Sequence, residues 1–381
     1  MRNLLPRTPC EHAGCLGDTL ALMTEFVLHR SAAPSTPEQR AEILANPVFG
    51  HYFVDHQVIA DHDESEGWVN PRIEAMGTWQ MHPASAGFHY GQEIFEGLKA
   101  YRHDDGSVWL FRPEANAARF VRSAERLCMP RLPEEAFVDA VRKLVAVDSE
   151  WVPDGEGEQS LYIRPFMIAS EPYLGVRPAS GYTFSIIASP VGAYYDEPVT
   201  LWLTPNYTRA APGGTGEAKC GGNYAASLAA AAEAEAEGCG QVLWTDGAER
   251  KYIEECGTMN FMYITADGEL VTPELNGSIL PGITRDSLLK LAPQHDLKPV
   301  EAQISVDELF DGVASGRIVE ALACGTAAVV TPIVGFKAPG GIHHVVGDGT
   351  PGERTRALRT HLVDIQYGRA EDAFGWTQRV V

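Results

Sequence analysis

One lysine stands among five glycines in residues 213–224, GGTGEAKCGGNY, directly ahead of an Ala/Glu run with helical character. The chain has seven lysines, Lys99, Lys143, Lys219, Lys251, Lys290, Lys298 and Lys337, and only Lys219 has this setting. Glycine at that density lets the backbone come close to a bulky ligand. The Lys219 amine could form a Schiff base with an aldehyde or hold a phosphate; the alternative is a solvated lysine on a flexible loop. A nucleotide P-loop is excluded, because Ala218 and Cys220 flank Lys219 where that motif requires Gly and Ser or Thr.

Other residues offer complementary chemistry. Glu254 and Glu255 close the strand-like RKYIEE; side chains alternate along a strand, so one of the two points inward and needs a partner. Arg164 lies within the apolar LYIRPF, where a cation needs an anion, either a ligand or a salt bridge within the fold. LPGITRD (280–286) and CGTAA (324–328) each place glycine ahead of a hydroxyl residue. Backbone N–H groups at such turns bind phosphate or carboxylate, although most Gly-Thr turns are only turns.

Several motifs are set aside. Gly347-x-Gly349-x-x-Gly352 has the letters of a dinucleotide fingerprint, but Pro351 interrupts it and too little chain follows for the next strand. It reads as a turn opening the helix ERTRALRTHLVDIQ. Cys10-Glu11-His12-x-x-Cys15 and His343-His344 lack four-ligand spacing, so no metal is expected. No G-x-S-x-G occurs, which leaves a serine-hydrolase elbow unsupported.

Holding these groups requires a scaffold of helices and buried strands. Helices are expected over 113–127, with Pro113 in the first turn, and over 133–149, where Phe137, Val138, Val141, Leu144 and Val145 share a face. SLYIRPFMIAS and YTFSIIASPVG read as buried strands, and SPVGAYYDEP (189–198) as a linker. Strand 199–204 then leads into the glycine loop and an Ala/Glu helix, with Asn223 as N-cap and Gly238 just past its end. Strands at 241–246, 251–254 and 260–265 follow, with Asp-Gly turns at 246–247 and 267–268. A short helix follows LPG, and GRIVEALACGTAAVVTPI returns to strands. Residues 1–45 carry no periodicity and suggest an extension ordered only where it packs on the body; Met23 is an alternative start.

The 381 residues suffice for about two domains, each with its own core. A formal net charge of −21 opposes binding to nucleic acid or anionic membrane surfaces. Seven scattered cysteines without a C-x-x-C pair suggest a reducing compartment. No apolar run approaches the ~18 residues of a membrane span, so a cytoplasmic protein is expected.

Taken in order, GQEIFEGLKAYR, SLYIRPFMIASEPYLGV, GGTGEAKCGGNY, EECGTMNFMY, ILPGITRDSLL, CGTAAVVTP and DIQYGR resemble the branched-chain-amino-acid aminotransferases, fold type IV enzymes that use pyridoxal 5′-phosphate (PLP). The resemblance runs from about residue 46 to the C-terminus. It implies a mixed α/β fold: an extension 1–45, a small α/β domain 46–190, a linker 191–198 and a larger pseudo-barrel domain 199–381 that binds PLP.

The resemblance also implies roles. Lys219 would form the Schiff base with PLP and shuttle the proton between the substrate Cα and the cofactor. Glu255 would keep the pyridine nitrogen protonated, and Tyr224 would bond the ring hydroxyl. Arg119, the N–H groups of Ile283 and Thr284, and the Thr326 side chain would grip the phosphate. Phe49, Tyr90, Phe95, Tyr162 and Thr258 would wall the substrate pocket, with Leu174 and Val176 entering from the partner of a homodimer. Arg164 would meet the side-chain carboxylate of glutamate, and the N–H groups of Thr326 and Ala327 the α-carboxylate. The implied reaction moves the amine of L-leucine, L-isoleucine or L-valine to 2-oxoglutarate by a ping-pong route, giving branched-chain 2-oxo acids and L-glutamate.

Alternatives within that fold are a D-amino-acid aminotransferase and an aminodeoxychorismate lyase, against which the Tyr162/Arg164 motif argues. Outside it stands a non-catalytic phosphate-ligand binding protein. Two departures from mammalian members are visible: Ala328 and Thr331 replace a redox C-x-x-C, so that thiol regulation is not expected, and the loop at 192–198 is shorter.

Overall fold

The described strands form two sheets, one in each half of the chain apart from the last short strand, which joins the first sheet. The computed structural model describes residues 25–192 and 197–381. Met23, the Cys10–Cys15 cluster and residues 193–196 of the expected linker lie outside the described residues.

The first sheet has nine strands among the described residues. Its centre is the antiparallel pair Ser160–Ala169 and Gly181–Val191, the latter flanked by His56–Asp63 and the former by Leu98–Arg102. Short Glu93–Phe95 also pairs with Ser160–Ala169, setting Phe95 opposite Phe166. Side chains alternate across such a sheet, so Glu93, Phe95 and Arg164 share one face while Ile94, Ile163 and Met167 enter the core. The helices Pro113–Arg126 and Glu134–Val147 pack on that core, burying Phe120, Phe137, Val141, Leu144 and Val145.

Residues 25–45 are more regular than a loose extension. Val27–Leu28 pairs parallel with Gly67–Ala75, and Pro37–Ala45 is a helix started by a Thr36/Gln39 capping box. Asp55 accepts from the N–H and hydroxyl of Ser35 at 2.8 and 2.7 Å, and His56 Nε2 accepts from Ser31 N–H at 3.0 Å.

The second sheet also has nine strands among the described residues. Six of them, Ile253–Cys256, Gln241–Thr245, Val199–Leu203, Val329–Ala338, Ile318–Gly325 and Met259–Thr265, pair in sequence. The last of these pairs again with the first, so the six close into a barrel and leave no open edge between them. The sheets meet at a seam where Tyr101 and Phe111 of the first pack with Met262, Ile264 and Leu322 of the second and Leu288 and Leu358 of two covering helices. The chain also returns at its end, because Thr377–Arg379 pairs with Val108–Phe111 of the first sheet.

Three local expectations change. Ser189–Val191 belong to a strand rather than a linker, since their register against Ser160–Tyr162 continues without a break. The Ala/Glu run forms two helices, Gly221–Ala225 and Leu228–Ala236, and Asn223 lies inside the first instead of capping it. Its amide is used otherwise, donating to the carbonyls of Thr215 and Ala218 at 2.8 and 2.9 Å and so bracing the glycine loop. Glu254 and Glu255 are both buried, because every residue of Ile253–Cys256 is enclosed on both faces of the barrel wall.

Candidate active site

The buried face of helix Pro113–Arg126 breaks the apolar rule at regular intervals: Asn116, Arg119 and Ser123 all point inward beside Phe120. Polar residues at core positions need partners, and each has one. Arg119 forms a fork-to-fork pair with Glu96, Nε to Oε1 at 2.7 Å and Nη2 to Oε2 at 2.8 Å, and Asn116 donates to Glu96 Oε2 at 2.7 Å. Ser123 Oγ accepts from the Lys219 backbone N–H at 2.9 Å. Burial alone would raise the Glu96 pKa, but the Arg119 charge and hydrogen bonds hold it below the usual carboxylate range.

Lys219 is fixed from both sides of its backbone, since its carbonyl accepts from Phe95 N–H at 2.9 Å. Its Nζ donates to the Tyr224 hydroxyl at 2.6 Å and lies 4.7 Å from the Phe95 ring centroid. The one-turn helix Gly221–Ala225 sets this spacing by bringing Tyr224 round beneath the lysine.

These groups line a cavity of about 410 Å³ formed by residues of both sheets. On the barrel side, Glu255 Oε1 accepts from Leu280 N–H at 2.7 Å, and Oε2 lies 2.9 Å from Arg209 Nε. Burial raises the Glu255 pKa, with Arg209 acting against it. Glu254, facing away, is also raised by burial; it accepts from Asn276 at 3.0 Å through Oε1. Ile283 and Thr284 begin the helix Ile283–Leu291 behind Gly282, and no side chain caps its first N–H groups. Such a start favours an anion. Thr326 and Ala327 form the turn after Ile318–Gly325, and the buried Lys99 Nζ donates to the Ala327 carbonyl from behind at 2.8 Å. Burial lowers the Lys99 pKa to about 8.

The opposite wall is aromatic. Phe49 meets Tyr162 edge-on at 5.0 Å, and Arg164 lies 4.7 Å from the Phe95 centroid and 5.3 Å from that of Tyr162. Arg164 Nη2 donates to the Tyr162 hydroxyl at 3.1 Å, but its buried Nε has no hydrogen-bond partner among the described residues. Burial raises the pKa of Glu93, on the same sheet face, against the pull of Arg164.

The cavity thus gathers Arg119, Lys219, Tyr224, Glu255, Ile283, Thr284 and Thr326, together with Phe49, Phe95, Tyr162, Arg164, Thr258 and Ala327. It does not include Tyr90, Leu174 or Val176. Tyr90 ends a five-residue helix and turns its hydroxyl to the Leu174 carbonyl; Leu174 and Val176 are 60% and 86% exposed. Sequence reasoning also passed over Glu96, Arg209 and Asn260. Glu96 carried a usable signal, an acid between Phe95 and Gly97 in an apolar stretch, the same kind that marks Arg164. Arg209 and Asn260 carried none, because they reach the site only through the packing of separate loops and strands.

Comparison with known proteins places the chain in a family. The family profile described as Amino-transferase class IV matches residues 93–336. The branched-chain-amino-acid aminotransferase of Mycolicibacterium smegmatis is 52% identical, with 93% of this chain and 98% of that protein aligned. Branched-chain-amino-acid transaminase 1 of Bacillus subtilis is 47% identical, over 87% of this chain and 94% of that protein. Among solved structures, the Escherichia coli branched-chain amino acid aminotransferase superposes with a TM-score of 0.69 at 27% identity, covering 85% of this chain and 99% of that one. The branched-chain aminotransferase of the thermophilic archaeon Thermoproteus uzoniensis, solved with norvaline, gives a TM-score of 0.68 at 25% identity, covering 86% and 100%. With 93% of the chain aligned, the likeness extends into residues 1–45, further than the segments quoted above.

Proposed function

We propose, from the premise that the chain belongs to the class IV aminotransferases, that it transfers the amino group of L-leucine, L-isoleucine or L-valine to 2-oxoglutarate with PLP as cofactor. One observation carries the reading: Lys219 Nζ, hydrogen-bonded to Tyr224 at 2.6 Å, faces the same cavity as the buried Glu255 carboxylate. Class IV aminotransferases use PLP. The donor set suits that cofactor: an amine, a phenol, a buried carboxylate and an uncapped helix start, in a volume typical of small-molecule sites.

When bound, PLP supplies an electron-withdrawing ring that stabilises negative charge at the substrate Cα. Lys219 would supply the amine for the aldehyde and would move the proton at Cα. Glu255 holds a proton on the ring nitrogen, and Tyr224 holds the ring hydroxyl. Because Glu96 already neutralises Arg119, the N–H groups of Ile283 and Thr284 and the Thr326 hydroxyl would hold most of the phosphate, and the free Arg119 N–H groups would add directed bonds. The Thr326 and Ala327 N–H groups orient the α-carboxylate. Phe49, Phe95, Tyr162 and Thr258 exclude water around an aliphatic side chain, and Arg164 takes the second carboxylate of the dicarboxylic partner. The route is ping-pong, since one pocket serves both acids.

The same proposal includes a homodimer. Tyr90, Leu174 and Val176, with exposed Phe88 and Tyr173, form an apolar surface; on a neighbouring copy it would complete the partner's pocket. It also keeps the division into a small domain ending near residue 190 and a larger one from 199, and a cytoplasmic location. Among the described residues no helix is long and apolar enough to cross a membrane.

The experiment is a half-reaction: purified holoenzyme mixed with each amino acid in turn, following the cofactor spectrum. Leucine, isoleucine and valine should shift it and D-alanine should not. Lys219→Ala should lose at least ~10³-fold in turnover and retain no pyridoxyl group after borohydride reduction. Unchanged activity in that variant would sink the reading.

A further inference from the structure

The loop 278–282 runs along the cavity, and four of its backbone groups are each held by a polar side chain that also lines it. Arg209 Nη2 donates to the Ser278 carbonyl, and Leu280 N–H donates to Glu255 at 2.7 Å. Asn260 Nδ2 donates to the Leu280 carbonyl at 3.0 Å, and Arg119 Nη1 to that of Pro281 at 3.2 Å. Three of these side chains are charged and already engaged in buried ion pairs, Arg119 with Glu96 and Arg209 with Glu255. Asn260 is the neutral one.

Its position is central. On strand Met259–Thr265, Asn260 stands directly between Glu255 on one neighbouring strand and Cys324 on the other. The amide nitrogen lies 3.4 Å from Glu255 Oε1 as well as 3.0 Å from the Leu280 carbonyl. The amide oxygen lies against Gly282, where an added Cβ would come within 1.9 Å of it. Gly282 has φ −70° and ψ 133°, a conformation open to any residue, so space rather than backbone requires glycine there. Gly282 is also the residue from which the uncapped helix Ile283–Leu291 starts.

We propose that Asn260 is a positioning residue that sets the separation between the carboxylate at one end of the cavity and the helix-start amides at the other. A ligand with a protonated ring nitrogen and a phosphate is held at both ends only while this side chain fixes the loop between them. A ligand with the ring alone uses one end and is indifferent to the separation. The inference rests on the PLP reading of the site.

The test is titration of unliganded protein with PLP and, separately, with pyridoxal, which has the same ring and no phosphate. Asn260→Ala should weaken PLP about tenfold, the scale of one lost hydrogen bond, and change pyridoxal by no more than about twofold. Gly282→Ala should also weaken PLP about tenfold in the otherwise native protein, but by no more than about twofold in the Asn260→Ala background, where the clashing oxygen is gone. Equal weakening of both ligands, or a Gly282→Ala penalty that persists unchanged in the double variant, overturns the proposal. Should Asn260→Ala fail to fold, as its melting curve would show, Gly282→Ala alone decides, since it must weaken PLP and spare pyridoxal. Wild-type protein that binds neither ligand would refute the PLP reading itself; wild-type binding with additive variants would refute only the role of Asn260.

Discussion

Arg119 and Arg164 line the same cavity and are held in opposite ways. Arg119 has a buried carboxylate in bidentate contact, an asparagine supporting that carboxylate and a carbonyl on its third nitrogen. Arg164 rests on two aromatic rings and one phenol, with its Nε unpartnered among the described residues. Removing a charge from water costs several kcal/mol unless partners compensate, and an incompletely partnered guanidinium facing a cavity has an N–H group to offer an anion there. The Arg119 end is satisfied by the fold, and in the proposed reading the Arg164 end is the one that meets substrate. Under the proposed reaction, which takes an aliphatic side chain and a carboxylate in turn, the aromatic faces would serve the first and the unfilled N–H group the second.

Cutting the complete end should do most damage to stability. Arg119→Met leaves Glu96 buried without its cation and should cost about 3–5 kcal/mol in unfolding free energy, read by urea denaturation; pairing it with Glu96→Met should recover most of that. Full recovery of PLP affinity in the double variant would show that Arg119 serves the fold alone. Arg164→Met should leave stability within about 1 kcal/mol and raise KM for 2-oxoglutarate roughly 30-fold, with the leucine half-reaction nearly unchanged. An equal loss for leucine would mean that the two ends are not separate. Asn116→Ala, which removes one charge-assisted bond to Glu96, should cost about 1.5 kcal/mol and leave both KM values alone.

The smallest effect concerns pH. Glu96 has a lowered pKa, so its contribution is complete above the ordinary carboxylate range and is lost as acid carries the pH through the lowered value. Glu254 and Glu255 are raised by burial, so the folded protein takes up their protons first. The contribution of Glu254 and Glu255 to the stability of the unliganded protein should therefore rise as pH falls from neutral toward about 4.3, and that of Glu96 should drop below it. Glu254→Gln should flatten the rise and leave the acid drop, checked by melting temperature against pH. A rise unchanged in that variant would remove Glu254 from the account.

Legibility in the sequence followed the range of the interactions involved. Helices Pro113–Arg126 and Glu353–Gln366 fall where local signals place them, an amphipathic stripe with a first-turn proline for the first and an Asp-Gly turn ahead of the second. The Gly347–Gly352 pattern is a turn opening the second of these, with Gly347 and Gly349 at positive φ. An Asn ahead of an Ala-rich run fits a cap locally, whereas Thr215 and Ala218 claim the Asn223 amide from the preceding loop. Alternation turns one of Glu254 and Glu255 inward; barrel closure encloses both faces of their strand, a fact that no two-residue alternation can express.

The sequence by itself determined which residue types could act: a lysine among glycines with a tyrosine five positions on, an arginine in an apolar strand, two Gly-Thr turns and an acid pair. Spacing within one loop or strand is a property of the chain, so it is written there. Only the tertiary structure decided that Glu96 would neutralise Arg119, that Arg209 would stand beside Glu255, and that Asn260 would lie against Gly282. Those contacts join residues brought together by strand pairing and barrel closure, and a buried charge acquires its partner only when the whole fold removes it from water.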